Sequence, residues 1–285
     1  MGLQVEKLNL TIGFIGAGNM AEAIIGALLK SDIIDAGKII ACDIDKTRLN
    51  YMSDVFNINV TENVPEAYRV SDIVILAVKP QIMEKVLSTI TSGTTSANDR
   101  KIVISIAAGI KICRFEDALY TGINNNAQAN LPIIRVMPNT PGLVLSGMSA
   151  LCPNKNVLKQ DMALAKTILG SMGKVLEVEE EKMDAVTAVS GSGPAYFFYF
   201  AESMVEEAIS LGLTREEAML LTITTMEGAA SLLKSSDDSP ETLRKKVTSP
   251  GGTTEAAINI FESSKTKDII RNAVAAAAKR SQELS

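Results

Sequence analysis

Histidine and tryptophan are absent from the 285 residues of this chain, and aromatic residues together make up only 4% of it. Without histidine, a Ser-His catalytic triad, a histidine general acid and a histidine-ligated metal are excluded. Any chemistry must therefore depend on a bound cofactor, hydroxyls, carboxylates, lysines or the backbone.

The chain also lacks an even set of cysteines and a long apolar run. Its three cysteines, Cys42, Cys113 and Cys152, match no metal-binding spacing, so we expect reduced thiols in a cytoplasmic protein and no metal site. No stretch of 18 consecutive apolar residues occurs, which argues against a membrane span. Residues 1–10 lack a basic region followed by an apolar run, so no secretory signal is expected.

Basic residues are too few to indicate a nucleic-acid-binding surface. Lys plus Arg number 28 against 33 Asp plus Glu, which gives a net charge of −5 at pH 7. With 46% hydrophobic residues, a chain of this length can bury the cores of two domains of ordinary size.

The strongest local motif lies in residues 11–28, where a short apolar run predicts a buried strand and a helical apolar pattern follows. Gly16, Gly18 and Ala21 between them fit the spacing G-x-G-x-x-A of a dinucleotide-binding βαβ unit. Gly16 permits a sharp turn, Gly18 lets a pyrophosphate approach the backbone, and Ala21 lets the helix pack closely on the strand. The alternative is a purely structural turn, but the flanking strand and helix favour a cofactor site.

Asp43 follows the second predicted strand, residues 38–42, and lies 27 residues after Gly16. An acidic residue at this position accepts hydrogen bonds from the adenosine ribose and favours NAD. Lys46 and Arg48 follow closely and could instead hold a 2′-phosphate. A third interpretation is that these charges only cap and solvate the next helix.

Strands and helices alternate up to about residue 160, which predicts an α/β fold with a doubly wound, mainly parallel sheet. The apolar runs 72–78 and 101–106 are typical of strands covered on both faces, whereas 148–152 and 174–178 predict edge strands. A bound cofactor would cross the carboxyl edge of such a sheet.

Apart from the strand at 174–178, the pattern changes to helices from about residue 160, so we expect a dinucleotide-binding Rossmann domain at 1–160 and an all-α domain at 161–285. Five consecutive aromatic residues at 196–200 cover every side of a helix and predict burial all round, as at a subunit core. The segment 249–255 combines a Pro-Gly-Gly turn, two hydroxyls and a helix start, which suits a small carboxylate but is also compatible with an ordinary capped turn.

Five motifs, taken in order, resemble the pyrroline-5-carboxylate reductase family over essentially the whole chain. They are GFIGAGNM at 13–20, AVKP at 77–80, MPNTP at 137–141, SGSGPAY at 190–196 and SPGGTT at 249–254. Many dehydrogenases share the glycine motif, but the last two motifs together are far more specific. The resemblance implies reduction of the cyclic imine Δ1-pyrroline-5-carboxylate to L-proline with NADPH or NADH, the last step of proline biosynthesis.

The resemblance also implies site residues. Those near the cofactor are Ile15, Gly16, Ala17, Gly18, Asn19, Met20, Asp43, Asn63, Ala77, Val78, Lys79, Pro80, Ala107 and Ala108. Those near the substrate are Glu180, Asp237, Ser249, Gly252, Thr253 and Thr254, with Thr254 as the catalytic residue that hydrogen-bonds the ring nitrogen. Relatives that use NADPH tend to carry a small hydroxyl residue at position 43, and Asp43 would repel a 2′-phosphate unless Lys46 or Arg48 compensates.

The family's fold, as the resemblance implies it, is a dinucleotide domain plus a helical domain that interlocks with that of a partner. The substrate site then lies at the dimer interface, and dimers assemble into larger rings. Two alternatives stay open. One is another oxidoreductase of this architecture, such as a hydroxyacid dehydrogenase or a deazaflavin-linked NADP enzyme. A hydroxyacid dehydrogenase would require a catalytic lysine where this chain has SGSGPAY. The other is a non-catalytic nucleotide sensor, which would bind the cofactor without turning over the imine.

Overall fold

A computed structural model of the chain describes residues 7–93 and 100–284. Residues 1–6, which carry most of the segment tested for a secretory signal, lie outside the described residues. The chain divides into two compact units, one formed by residues 1–191 with 278–285 and the other by residues 192–277. The boundary expected from the sequence, at residue 160, falls within the first unit.

The first unit is built on a sheet whose strands all come from its own residues. The strands are β1 (Ile12–Ile15), β2 (Ile39–Cys42), β3 (Asn59–Thr61), β4 (Ile73–Leu76), β5 (Ile102–Ser105), β6 (Ile133–Met137), β7 (Gly147–Pro153) and β8 (Gly173–Glu177). The helices are α1 (Asn19–Lys30), α2 (Lys46–Phe56), α3 (Val64–Val70), α4 (Pro80–Gly93), α5 (Ile112–Leu119), α6 (Asn125–Ala129), α7 (Lys159–Gly170) and α8 (Met183–Val186). Short 3₁₀ turns at Ala36–Lys38, Thr140–Val144 and Glu180–Lys182 and a π-helical turn at Thr187–Gly191 connect them.

The strand order is β3-β2-β1-β4-β5-β6-β7-β8, and every neighbouring pair is parallel except β6 with β7. The first six strands have the order of dinucleotide-binding folds, so the predicted doubly wound, mainly parallel sheet is confirmed. The prediction that 148–152 is an edge strand is wrong. β8 pairs along the outer side of β7, so β7 lies inside the sheet, and edge position depends on this long-range pairing rather than on the local pattern.

The sheet is covered on both faces, and adjacent strand residues point to opposite sides. Phe14 packs in a cluster with apolar residues of α1, α2 and α7, whereas Ile15 belongs to a second cluster with α3, α4 and α5. Ile24 of the first cluster and Phe115 of the second are both fully buried. The buried strands therefore hold β1 rigidly and fix the turn that follows it.

The second unit is helical. Its helices are α9 (Gly193–Ser210), α10 (Arg215–Ser235), α11 (Pro240–Lys246), α12 (Thr253–Ser263) and most of α13 (Thr266–Glu283). Thr214 and Glu217 form the capping box that starts α10, because each side chain accepts the other residue's backbone N–H. Ser239 caps α11 by accepting the Thr242 N–H at 3.1 Å.

Large apolar side chains of the second unit lie open in the single chain. On α9, Phe197, Phe198 and Tyr199 are 64%, 66% and 73% exposed. Phe200 contacts the Phe261 ring at 6.3 Å between centroids, yet it too remains half exposed. The burial predicted for this aromatic run is therefore not reached within one chain. Across residues 7–93 and 100–284, no helix has the length and apolar character needed to cross a membrane.

Candidate active site

The turn after β1 accepts only glycine at its first position. Gly16 has a φ of +103°, and a Cβ there would lie 2.7 Å from the carbonyl carbon and oxygen of Ala77. The Gly16 N–H donates to the Cys42 carbonyl oxygen, and the Ala77 N–H donates to that of Ile15, each at 2.8 Å. These contacts tie the ends of β1, β2 and β4 together and set the direction of the turn.

Gly18 is the N-cap of α1, and no side chain caps this helix start. A Cβ at Gly18 would meet nothing within 4 Å, so the space before the helix is open. The first-turn amides of Asn19 and Met20 have no earlier helical turn to bond to, and Ala21 is fully buried beneath them. A small open cradle of unbonded donors at a helix start fits a diphosphate.

Asp43 lies beside this cradle at the end of β2. One carboxylate oxygen accepts the Ala17 N–H at 2.8 Å, and the other accepts the Asp45 N–H at 3.1 Å. The carboxylate is half-buried and held by the backbone of the glycine-rich turn itself. Dinucleotide-binding folds carry their acceptor for the ribose hydroxyls at this position, the end of the second strand.

Arg48 lies on the other side of the same turn. Its Nε donates to the Ala17 carbonyl oxygen at 2.5 Å, and its Nη2 pairs with Glu22 of α1. Its guanidinium carbon is 4.9 Å from the centre of the Tyr51 ring, and the Tyr51 hydroxyl donates to Glu22 at 2.9 Å. Burial acts to raise the pKa of Glu22, but the hydrogen bonds from Arg48 and Tyr51 outweigh it and lower the pKa.

The other residues expected near the cofactor follow the ends of parallel strands of the same sheet. Asn63 follows β3 and caps α3 by accepting the Glu66 N–H at 3.1 Å. The residues Ala77, Val78 and Lys79 follow β4 and lead directly into Pro80, the first residue of α4, whereas Ala107 and Ala108 follow β5. The structure thus brings them to the carboxyl edge of one sheet.

Glu180, which the resemblance places near the substrate, is occupied by contacts within the first unit. Its Oε1 accepts from Arg135 Nη1 at 3.0 Å and from the Ile112 N–H at 2.7 Å. Arg135 is only 3% exposed, so Glu180 neutralises a buried guanidinium and also caps α5. Sequence reasoning did not anticipate this pairing.

Asn139 joins two of the quoted motifs. Its Nδ2 donates to the Ser190 carbonyl oxygen at 3.1 Å, and its Oδ1 accepts the Met148 N–H at 2.8 Å. The MPNTP loop therefore supports the π-helical turn that leads into SGSGPAY. A Cβ at Gly191 would approach the Met137 methyl to 2.3 Å, so this junction is tightly packed.

The turn before α12 in the second unit is ordered by its own contacts. Gly251 has a φ of +71°, and its N–H donates to Glu255 Oε2 at 2.8 Å. The Gly252 N–H donates to the Ser249 carbonyl oxygen at 3.0 Å, and Gly252 starts α12 with no side-chain cap. Thr253 and Thr254 thus present first-turn amides and hydroxyls at an uncapped helix start, which is suited to a small anion.

Asp237 lies in the loop between α10 and α11, and its side chain is exposed. Its neighbour Asp238 accepts a hydrogen bond from Lys246 at 2.5 Å, and this bond is the main cause of its lowered pKa. The loop that carries Asp237 lies immediately before α11, and the turn at 249–252 lies after it, so the two segments flank the same short helix.

Two family models match the chain. Residues 180–284 match the model described as pyrroline-5-carboxylate reductase dimerisation, and residues 11–109 match the model described as NADP oxidoreductase, coenzyme F420-dependent. The second match lies within the dinucleotide-binding part of the sheet. One matched model is thus named for pyrroline-5-carboxylate reductases, and the other for NADP oxidoreductases that depend on coenzyme F420.

Known proteins and solved structures are similar to this chain over nearly its whole length. Pyrroline-5-carboxylate reductase of Synechocystis is 39% identical, covering 97% of this chain and 99% of its own, and that of Pseudomonas aeruginosa is 40% identical, covering 96% of each. The structure of Plasmodium falciparum pyrroline carboxylate reductase with NADP bound superposes with a TM-score of 0.86 at 32% identity, covering 98% of this chain and 99% of that one. A prephenate dehydrogenase from A. aeolicus, at 16% identity and a TM-score of 0.54, shares the fold.

Proposed function

This chain belongs to the pyrroline-5-carboxylate reductase family, and we propose that it reduces Δ1-pyrroline-5-carboxylate to L-proline with NADH or NADPH. The observation that carries this proposal is the 39% identity to the Synechocystis enzyme over 97% of the chain, which includes both the glycine-rich turn and the turn at 249–254. This coverage favours the reductase over other oxidoreductases that share only the dinucleotide fold.

We assign the cofactor to the first unit. The open space at Gly18 and the amides of Asn19 and Met20 would hold the diphosphate, and Asp43 would accept the ribose hydroxyls. Residues 77–80 and 107–108 would border the ribose and nicotinamide, because they follow the neighbouring strands β4 and β5. The bound reduced dinucleotide supplies the hydride that adds to C5 of the imine.

We assign the substrate to the turn before α12. The first-turn amides and the Thr253 hydroxyl would hold the substrate carboxylate, since the helix start favours negative charge and lacks a competing cap. The Thr254 hydroxyl would hydrogen-bond the ring nitrogen and orient the imine. Glu180 and Asp237 remain candidate neighbours of the substrate by resemblance alone.

The absence of histidine is consistent with this chemistry. A protonated cyclic imine is already electrophilic, so the protein needs to position the ring rather than to donate a proton in the hydride-transfer step. The residues of the turn at 249–254 thus act by orientation and charge complementarity.

We further propose a homodimer formed through the second unit, with dimers assembling into a larger ring in the cytoplasm. The exposed aromatic residues of α9 and the match to the dimerisation model support the pairing. Such large apolar surfaces are costly to leave in water, so a second copy of the chain is the natural cover for them.

The test is oxidation of NADH or NADPH when pyrroline-5-carboxylate is added to the purified protein. With Thr254→Ala, we expect kcat/KM for the imine to fall roughly 10- to 100-fold while dinucleotide binding is retained, because orientation of the ring is lost. Ser263→Ala removes an exposed hydroxyl from the other end of α12 and is the matched control. Unchanged kcat/KM in Thr254→Ala would remove Thr254 from this role.

The same assay separates the alternatives. A nucleotide sensor would bind the dinucleotide and leave pyrroline-5-carboxylate unchanged. A related dehydrogenase would oxidise or reduce a different substrate and show no imine-dependent oxidation of NADH or NADPH.

A further inference from the structure

The corner that would receive the adenosine ribose is rich in negative charge. Asp43 follows β2, and Asp45 caps α2 by accepting the Thr47 and Arg48 N–H groups. Two cations lie near, and each already faces a carboxylate. Lys46 Nζ is 3.2 Å from Glu62, and Arg48 pairs with Glu22, so four carboxylates surround two cations.

The two cations are held to different degrees. The ion pair between Lys46 and Glu62 is open to solvent, with side chains 75% and 54% exposed, and such pairs contribute little to stability. The Arg48 pair is about three-quarters covered, and the guanidinium also binds the Ala17 carbonyl and stacks on Tyr51. Arg48 is therefore fixed against the glycine-rich turn, and its charge is offset by Glu22.

We propose that this chain discriminates against the 2′-phosphate of NADPH and prefers NADH, and that Glu22 is a specificity-determining residue because it withholds Arg48 from that phosphate. Asp43 supplies the repulsion, since its carboxylate lies at the ribose end of the cradle beside the Ala17 N–H. Glu22 removes the compensating charge by pairing with Arg48. The inference rests on the proposed function only in taking NADH and NADPH as the competing ligands.

The test is a calorimetric titration of the full-length protein with NADH and with NADPH, which reads binding rather than turnover. For the unaltered protein, we expect the Kd for NADPH to exceed that for NADH by about tenfold, as one unfavourable charge contact at a protein surface produces. Equal Kd values, or tighter binding of NADPH, would overturn the proposal, and this comparison requires no substitution.

Glu22→Gln keeps the size of the side chain and removes its charge, so it frees Arg48. We expect the NADPH-to-NADH Kd ratio to fall about fivefold, mainly through tighter NADPH binding. Asp54→Asn removes an exposed carboxylate of α2 that is not part of the Glu22–Arg48 pair. It is the matched control for net charge and should leave the ratio unchanged. An equal change in both variants would show a general charge effect and contradict the role of Glu22.

Arg48→Ala completes a double-substitution cycle. Alone, it leaves the Glu22 carboxylate unpaired and should raise the NADPH-to-NADH Kd ratio further; in the Glu22→Gln background, it should abolish the gain in NADPH binding. A gain in NADPH binding that persists in the double variant would show that Glu22 acts without Arg48 and would overturn the proposal. Failure of imine turnover with the expected Kd ratios would reject the proposed function and leave this inference standing.

Discussion

In the first unit, Phe14 and Phe115 are fully covered, whereas in the second unit Phe198 is 66% exposed and Leu220 68% exposed. The inner strands β1, β4 and β5 of the first unit are buried on both faces by residues of the same chain. In the second unit, α10 and α11 have side-chain caps, but large apolar side chains of this unit remain exposed. Local helix signals thus coexist with missing tertiary burial, and this contrast is what the proposed homodimer accounts for.

The largest expected effect comes from placing a charge on the open apolar face of α9. Phe198→Glu should dissociate the assembly, because an unpaired carboxylate in an apolar interface costs about 3–5 kcal/mol. We expect a shift to monomer in sedimentation velocity. The rate of imine reduction should fall at least tenfold, and a factor of ten corresponds to about 1.4 kcal/mol. Val55→Glu, at an exposed apolar position of α2 in the first unit, is the matched control and should leave the assembly intact.

A truncation in each unit sharpens the same comparison. Phe115→Ala leaves a cavity in a closed core and should lower the free energy of unfolding by about 3–5 kcal/mol. Phe198→Ala, measured in a Leu220→Glu background that disfavours assembly, should cost less than about 1 kcal/mol because the ring is already in water. Denaturant unfolding measures both. Similar losses at the two positions would contradict the contrast between the units.

The smallest effect concerns thiol reactivity in the closed first unit. Burial is the largest cause that raises the pKa of Cys42 and of Cys152 to about 11, so at pH 8 only about one in a thousand of these thiols is ionised. Cys113 is exposed on α5. Iodoacetamide at pH 8 should therefore label one cysteine rapidly in the folded protein, and the other two should react on unfolding or as the pH approaches 11. Rapid labelling of all three in the native state would show that this core opens readily.

Sequence reasoning succeeded where the signal was local. The apolar runs predicted β1, β4 and β5, and the glycine spacing predicted the turn that the structure explains through Gly16 and its approach to Ala77. The helices α5 and α6 were not anticipated, because each is short and the segment 112–129 is rich in polar residues. Helices this short depend on tertiary packing rather than on their own periodicity.

Contacts between distant residues were beyond prediction from one sequence. Glu22 and Arg48 are separated by 26 positions, and Arg135 and Glu180 by 45, so no local pattern marks either pair. From the sequence, Arg48 was a candidate for binding a 2′-phosphate. Its ion pair with Glu22 changes that interpretation, because the charge of Arg48 is already offset. The position of β7 inside the sheet likewise depends on its pairing with β8.

The most direct measurement of the central claim is the transfer of label to pyrroline-5-carboxylate from NADH in which both hydrogens at C4 of the nicotinamide are deuterium. Direct hydride transfer to the imine carbon predicts L-proline with one deuterium at C5, formed in equal amount to the NAD produced and detected by mass spectrometry. Proline without deuterium would contradict direct transfer. Absence of proline, with the dinucleotide bound but not oxidised, would contradict the assignment of this chain as a reductase of the imine.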